Sequence, residues 1–130
     1  MPKLFIEGEP VPRKNKYNAK KTVIDGIKFD SLKEGDRYME LVMLERGGII
    51  RDLELQPRYD VVVNGCKICY YKADFRYLDN EKGQQIVEDV KAMPKTARAI
   101  KKFKQTDAWR RYRLKKKLVE ALYPIKIVEV

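Results

Sequence analysis

Two acidic residues and a lysine are spaced so that neighbouring strands could bring them together. Asp74 lies in a segment rich in Tyr and Phe, whereas Asp89 and Lys91 follow in a second segment rich in Val and Ile. Both compositions are typical of β-strands. Two carboxylates and an ammonium on one strand face can hold Mg²⁺ and orient water beside a phosphodiester. The pattern is short and common, so it is equally consistent with an exposed strand face carrying a Lys–Asp pair.

The length of the turn between these strands decides which acids share a face. A four-residue turn at 80–83 places Asp74 opposite Asp89, and Lys91 follows on the same face because side chains alternate. A five-residue turn would place Asp74 opposite Glu88 and turn Lys91 away. We predict the four-residue turn, because only that register unites the three groups, and we expect Glu88 on the opposite face.

The overall composition favours nucleic acid as the partner. The chain has 130 residues and a net charge of +10. Nucleic acid is the commonest partner of so basic a surface, and an anionic membrane is the lesser alternative. It contains no histidine, which excludes Ser-His-Asp and Cys-His catalysis and histidine metal sites. Cys66 and Cys69 lack a second ligand pair for zinc, so we interpret them as ordinary thiols.

No apolar run approaches the roughly 20 residues that span a bilayer. The N-terminus also lacks the long apolar stretch of a signal peptide. We therefore expect a cytoplasmic protein that does not bind a membrane.

The first 21 residues are polar and basic and predict an N-terminal arm. A solvated terminus and a phosphate-binding arm are equally compatible with this composition. In the second interpretation the arm holds DNA through Arg13, Lys14, Lys16, Lys20 and Lys21. Residues 22–130 are predicted to form one domain.

The turn and cap signals predict a mixed α/β architecture. Hairpins are expected at Asp25-Gly26 and Asn64-Gly65. A first helix at 31–46 begins with the capping-box spacing of Ser31 and Glu34. The central strands form an antiparallel meander, with one continuous strand at 66–78 and another at 84–91. Helical segments at 95–104 and 107–123 precede a closing strand at 125–130, so we expect a crossover and a mixed sheet flanked by helices.

The last helix is expected to combine a packing face with a basic face. Arg111 and Lys115 fall in the sector of its apolar stripe, so they are predicted to reach the site or the DNA backbone, as is Lys95 in the preceding basic segment. Trp109 is predicted to pack on the core, with stacking on a base as the lesser alternative. The stripe itself is predicted to consist of Leu114, Leu118, Ala121 and Leu122.

Several motifs occur in an order that resembles the PD-(D/E)xK nuclease superfamily. More narrowly, the chain is similar to the small endonuclease-like proteins encoded by phages and prophages, which resemble endonuclease I and Holliday-junction resolvases. The similarity runs from about residue 17 to residue 130. The motifs that carry it are Phe29-Asp30-Ser31-x-x-Glu34, Leu55-Gln56-Pro57, Lys72-Ala73-Asp74-Phe75 and Val87-Glu88-Asp89-Val90-Lys91.

The resemblance implies a restriction-endonuclease-like core and phosphodiester hydrolysis that depends on Mg²⁺ or Mn²⁺. Asp74 and Asp89 match the metal-binding acids, and Lys91 matches the catalytic lysine. Glu34 matches a third ligand on the first helix, although its spacing also suits a helix cap. Ala92 departs from the glycine that close relatives carry, and an added basic segment at 95–106 leaves the approach of substrate open.

We therefore expect a metal-dependent DNA endonuclease, acting on branched DNA because the chain has no room for a separate sequence-reading domain. Symmetric cutting of a junction implies a homodimer. The alternative is a non-catalytic nucleic-acid-binding module on the same scaffold.

Overall fold

The computed structural model describes residues 21–130, which form eight strands and three helices. Arg13, Lys14, Lys16 and Lys20 of the predicted arm lie outside the described residues. The elements are β1 (Thr22–Ile24), β2 (Ile27–Phe29), α1 (Leu32–Arg46), β3 (Ile50–Leu55), β4 (Arg58–Val63), β5 (Cys66–Lys72), β6 (Phe75–Asp79), β7 (Gln84–Asp89), α2 (Ala97–Phe103), α3 (Asp107–Leu122) and β8 (Ile127–Glu129).

A mixed four-stranded sheet organises the molecule. Its strand order is β3-β6-β7-β8, with β3–β6 and β6–β7 antiparallel and β7–β8 parallel. The parallel pair requires a crossover, which α2 and α3 supply between β7 and β8. The predicted mixed α/β class with flanking helices is therefore confirmed.

The turn between β6 and β7 has the predicted length. Asp79 pairs with Gln84 and Phe75 pairs with Glu88, which leaves a four-residue turn at 80–83. This register places the Glu88 and Asp89 side chains on opposite faces of the sheet, as expected from strand alternation. The hairpins at Asp25-Gly26 and Asn64-Gly65 also form as predicted.

The predicted continuous strand at 66–78 is wrong, because the chain bends between β5 and β6. The bend occurs at Ala73 and Asp74, directly opposite Gln56 and Pro57. The Gln56 amide donates to the Asp74 carbonyl at 2.9 Å, and the Ala73 amide donates to the Pro57 carbonyl at 3.0 Å. The two paired strands thus bend together, and their outer halves, β4 and β5, leave the main sheet as a separate hairpin.

Helices cover both faces of the sheet. The core beneath α1 contains Phe29, Leu41, Ile50, Phe75 and Tyr77. The core on the other face lies against α3 and contains Tyr59, Val61, Tyr71, Ala73, Val87, Val119 and Ile127. No described helix has the length and apolar character needed to cross a membrane.

The predicted packing face of α3 is wrong in part, because Leu118 packs against the core whereas Leu114, Ala121 and Leu122 are exposed. Leu114 is 60% exposed and Leu122 is 46% exposed, whereas Trp109 and Val119 are buried. Tyr112 joins the buried side and packs against Trp109 with ring centroids 5.3 Å apart. Large aromatic rings bury more area than leucine in the same space, so the helix turns its aromatic side inward. The prediction that Trp109 packs on the core is confirmed.

Candidate active site

Three carboxylates meet at the end of the sheet where β6 begins and β7 ends. Glu34 comes from the first turn of α1, Asp74 immediately precedes β6, and Asp89 is the last residue of β7. The carboxylate of Asp74 lies within hydrogen-bonding reach of those of both Glu34 and Asp89. Residues far apart in the sequence are therefore assembled in one place.

The helix start positions Glu34. The Ser31 side chain caps α1 by accepting a hydrogen bond from the Glu34 amide at 3.1 Å. Glu34 is only 9% exposed, and its carboxylate is directed toward Asp74 and the Asp30 backbone. Next to it, Gly35 allows a close approach, because a Cβ there would lie 2.8 Å from the Thr22 methyl carbon. Ser31 thus caps the helix while the Glu34 carboxylate remains directed at the acid cluster.

The strand end positions Asp74 through its backbone and its side chain. The Asp74 amide donates to the Glu88 carbonyl at 3.0 Å. One carboxylate oxygen accepts a hydrogen bond from the Val90 amide at 2.7 Å. The Asp74 carboxylate therefore faces the end of β7, where the Val90 amide lies.

Asp89 is buried and held by two partners. The Tyr71 hydroxyl donates to Oδ2, and the Lys91 ammonium lies 3.2 Å from Oδ1. Lys91 also lies 3.7 Å from the centroid of the Tyr112 ring, in cation–π contact. Its amide bonds to the Val130 carbonyl at 3.0 Å, so β8 helps to fix the Lys91 backbone.

Two of the three acids, Asp74 and Glu34, have raised pKa values. Burial, reinforced by the charges of Asp89 and Glu34, raises the pKa of Asp74 to about 8, against the opposing effect of the Val90 amide. Burial also raises the pKa of Glu34, with further contributions from Asp30 and Asp89. Strongly perturbed acids that share a site are typical of functional centres.

This arrangement suits a divalent cation that completes its shell with other ligands. Mg²⁺ commonly binds one or two carboxylates together with waters and substrate phosphate. Asp74 and Asp89 are adjacent and retain lone pairs, and Glu34 is next to Asp74. Within residues 21–130, no group of three or more acidic or thiol side chains is arranged to hold a metal ion. The residues present fit a cation held by two acids and the substrate rather than a closed protein cage.

The structure describes four of the predicted DNA-binding residues, Lys21, Lys95, Arg111 and Lys115. Lys21, Lys95 and Arg111 are exposed. Lys115 is half-buried, and its ammonium lies 5.7 Å from the centroid of the Tyr70 ring on β5.

Two contributors to the site were missed by sequence reasoning. Tyr71, which holds Asp89, would lie on the face opposite Asp74 in a continuous strand, and only the bend brings both to Asp89. Glu88 was expected merely to flank the site, but it forms a buried ion pair with Arg37 of α1. The signal for that pair was present in the register, which turns Glu88 toward the face covered by α1.

Comparison with other proteins gives a family without an assigned activity. No curated protein and no solved structure matches the chain. One family model, described as "Protein of unknown function (DUF1064)", matches residues 14–124, which is most of the sequence. The chain belongs to the DUF1064 family.

Proposed function

We propose that this protein is a metal-dependent DNA endonuclease with its active site at Glu34, Asp74, Asp89 and Lys91. The observation that carries the proposal is the convergence of these four groups at one end of the sheet. The pKa values of Asp74 and Glu34 are raised there, and a lysine ammonium lies 3.2 Å from Asp89. Three buried acids repel one another when they are ionised, and a divalent cation would relieve that repulsion, so the arrangement favours a metal centre.

Asp74 and Asp89 hold Mg²⁺ or Mn²⁺, and Glu34 supports them from α1. The ion would stabilise charge on the phosphate and make water more acidic. Lys91, fixed by Asp89 and by the Tyr112 ring, presents its ammonium to the charge that develops on the scissile phosphate. Tyr71 keeps the Asp89 carboxylate in place by donating to it.

The surrounding architecture supports a restriction-endonuclease-like core. A mixed sheet with helices on both faces carries the acids at the ends of two adjacent strands and on the first helix. The net charge of +10 suits a nucleic-acid substrate. Arg13, Lys14, Lys16, Lys20, Lys21, Lys95, Arg111 and Lys115 are proposed to contact DNA phosphates.

We propose branched DNA as the preferred substrate and a homodimer as the active form. The described residues form no separate sequence-reading unit, so their fold suits recognition of shape more than of sequence, and two symmetric cuts require two active sites.

The test is a cleavage assay with matched variants. Purified protein is incubated with four-way junction, nicked, single-stranded and linear duplex DNA in Mg²⁺, Mn²⁺ or EDTA. We expect metal-dependent cutting, fastest on the junction. Asp74→Asn and Lys91→Ala should each reduce it by about a hundredfold or more, because each removes stabilisation of charge at the reacting phosphate.

Matched controls come from the exposed β4–β5 hairpin. Asp60→Asn and Lys67→Ala make the same changes of charge in a surface ion pair of 3.6 Å and should leave cutting unchanged. Cutting that persists in both Asp74→Asn and Lys91→Ala would show that the active site lies elsewhere.

The alternative is a non-catalytic nucleic-acid-binding module. It is favoured by one observation: both Asp89 oxygens already have protein partners, as in a carboxylate with a purely structural role. Tight binding of DNA with no cutting in either metal would establish this alternative.

A further inference from the structure

A cavity lies beside the acid cluster and shares Lys91 with it. Its volume is about 210 Å³, and four cationic side chains, Lys33, Lys91, Lys104 and Arg113, line it together with Trp109 and Glu129. These residues come from α1, the end of β7, the α2–α3 junction and α3, so the tertiary fold creates the cavity. The three residues of the acid cluster, Glu34, Asp74 and Asp89, do not line this cavity.

The cavity has an excess of positive charge. Glu129, its one acidic side chain, is already bound by the Tyr112 hydroxyl at 2.6 Å and lies 3.5 Å from the Lys116 ammonium. Lys33 donates to the Lys91 carbonyl at 2.6 Å, which holds its ammonium at the cavity wall. Among the residues that the structure describes, neither Lys104 nor Arg113 forms an ion pair with a carboxylate. Two cations are therefore available to a ligand.

The wall behind these cations is rigid. Trp109 is only 8% exposed and packs between Phe103 and Tyr112, with ring centroids 5.5 and 5.3 Å away. Its amide is bound by the Thr106 cap at 3.2 Å. A fixed apolar wall limits water on one side of the cations and strengthens their attraction for an anion.

We propose that this cavity binds a phosphate group of a nucleic-acid strand. Lys104 and Arg113 hold the phosphate, Lys33 and Lys91 complete the positive lining, and Lys91 connects the cavity to the acid cluster. A guanidinium and an ammonium are the side chains that bind phosphate best. The proposal deepens the proposed nuclease function, since a phosphate held here would fix the strand relative to the acids, but binding itself requires no catalysis.

Tryptophan fluorescence measures occupancy of the cavity directly. Trp109 is the only tryptophan in the sequence and lines the cavity, so selective excitation of indole reports on this place. Titrations are made in EDTA, which prevents metal-dependent cutting. The probes are inorganic phosphate, a short single strand with a 5′-phosphate, and the same strand with a 5′-hydroxyl, each against sodium chloride at equal ionic strength.

We expect a saturable change in Trp109 emission that chloride does not produce. If the 5′-phosphorylated strand binds tighter than its hydroxyl counterpart, the ligand is a terminal phosphate. If both bind equally, it is an internal phosphodiester. Either result supports the cavity as a phosphate site, and the absence of any saturable change would overturn it.

A pair of variants separates the cavity from general basicity. The double substitution Lys104→Gln with Arg113→Gln should weaken binding about tenfold or more, as expected for the loss of charge-assisted hydrogen bonds. The control, Lys101→Gln with Arg110→Gln, removes two exposed charges from the same region without touching the cavity lining. Equal weakening by both pairs would overturn the proposal, because it would show attraction to the whole basic surface.

The two proposals fail in different ways. Binding that depends on the cavity pair, with no DNA cutting in any metal, would leave the phosphate site standing and remove the nuclease. The opposite outcome is metal-dependent cutting that is lost in Asp74→Asn and unchanged by the double substitution Lys104→Gln with Arg113→Gln, together with no change in Trp109 fluorescence. That outcome would leave the nuclease standing and remove the phosphate site.

Discussion

The carboxyl group of Asp74 lies between two other acids, and burial raises its pKa to about 8 from an ordinary 3.8. The pKa returns to the ordinary value when the chain unfolds. Between about pH 4 and pH 8 the folded protein therefore binds more protons than the unfolded chain. The contribution of Asp74 to stability is greatest below about pH 4, declines as the pH rises through this window, and is constant above it.

Removing this titration should stabilise the protein. Asp74→Asn preserves the side-chain size, and each unit of pKa shift corresponds to about 1.4 kcal/mol. In EDTA at about pH 8 we expect the variant to be more stable than the natural chain by about 1 kcal/mol or more, with little difference near pH 4. Urea unfolding at both pH values measures this. The exposed control Asp60→Asn should not increase the free energy of unfolding. If Asp74→Asn is no more stable than the natural chain at pH 8, the raised pKa of Asp74 is contradicted.

A divalent cation should reverse the order of stability. A ligand that binds only the folded state stabilises it, by about 2.7 kcal/mol when its concentration exceeds Kd a hundredfold. We expect Mn²⁺ to raise the Tm of the natural chain and of Asp60→Asn, but not of Asp74→Asn. The effect should be larger at about pH 8 than at pH 6, because the cation must displace the proton that Asp74 holds. An equal response in Asp74→Asn would locate the cation elsewhere.

A buried ion pair joins the first helix to the central strand. Arg37 of α1 donates to both oxygens of Glu88 of β7, at 2.8 Å from Nε and 2.6 Å from the terminal nitrogen. The Tyr77 hydroxyl also donates to Glu88, which is 2% exposed. Arg37 lies one turn after Glu34, and Glu88 precedes Asp89. The pair therefore fixes the relative positions of the helix and the strand that carry two of the acids.

Breaking this pair should cost far more than breaking its exposed neighbour. Arg37→Leu leaves the Glu88 carboxylate buried without its cation, and we expect a loss of about 3 kcal/mol in the free energy of unfolding. Glu40→Gln removes an Arg37 partner whose side chain is 64% exposed, so its cost should stay below about 1 kcal/mol. A urea-unfolding double-mutant cycle with Glu88→Leu measures the coupling. Similar small losses in Arg37→Leu and Glu40→Gln would show that the buried pair does not secure α1.

Local signals predicted most elements, and long-range packing decided the rest. The Asn64-Gly65 hairpin, the Ser31 cap and the turn at 80–83 depend on residues close in sequence, and the structure contains them all. The bend at Asp74 has no signal of its own. It follows from Pro57 on the paired strand, which no reading of 66–78 alone could reveal.

The same distinction applies to the candidate site. Turn length and alternation were enough to bring Asp74, Asp89 and Lys91 to one end of the sheet, because both rules act within a single hairpin. Tyr71 could not be predicted, since its contact with Asp89 depends on that bend. The face of α3 also depends on which side chains fill the space above the sheet, and the helix buries Trp109 rather than Leu114.

At the scale of the whole molecule, the excess of positive charge should govern the strength of DNA binding. Each phosphate neutralised by a cation releases counterions, so affinity declines with salt at a slope set by the number of contacts. Lys95 and Arg111 are exposed and predicted to make such contacts. Replacing both with Gln in an Asp74→Asn background, which prevents cutting, should reduce the slope of log affinity against log salt by about 2.

The far end of the sheet provides the matched control. Arg51 on β3 pairs with Leu78 on β6, and Lys82 lies in the β6–β7 turn. Both side chains are exposed and lie at the end of the sheet opposite the acids. Arg51→Gln with Lys82→Gln removes the same charge, so it should leave the slope nearly unchanged if DNA binds at the acid end. Anisotropy titrations of a labelled junction at several salt concentrations give both slopes. Equal reductions in the two pairs would mean that DNA is attracted to the molecule as a whole, with no preferred surface beside the acid cluster.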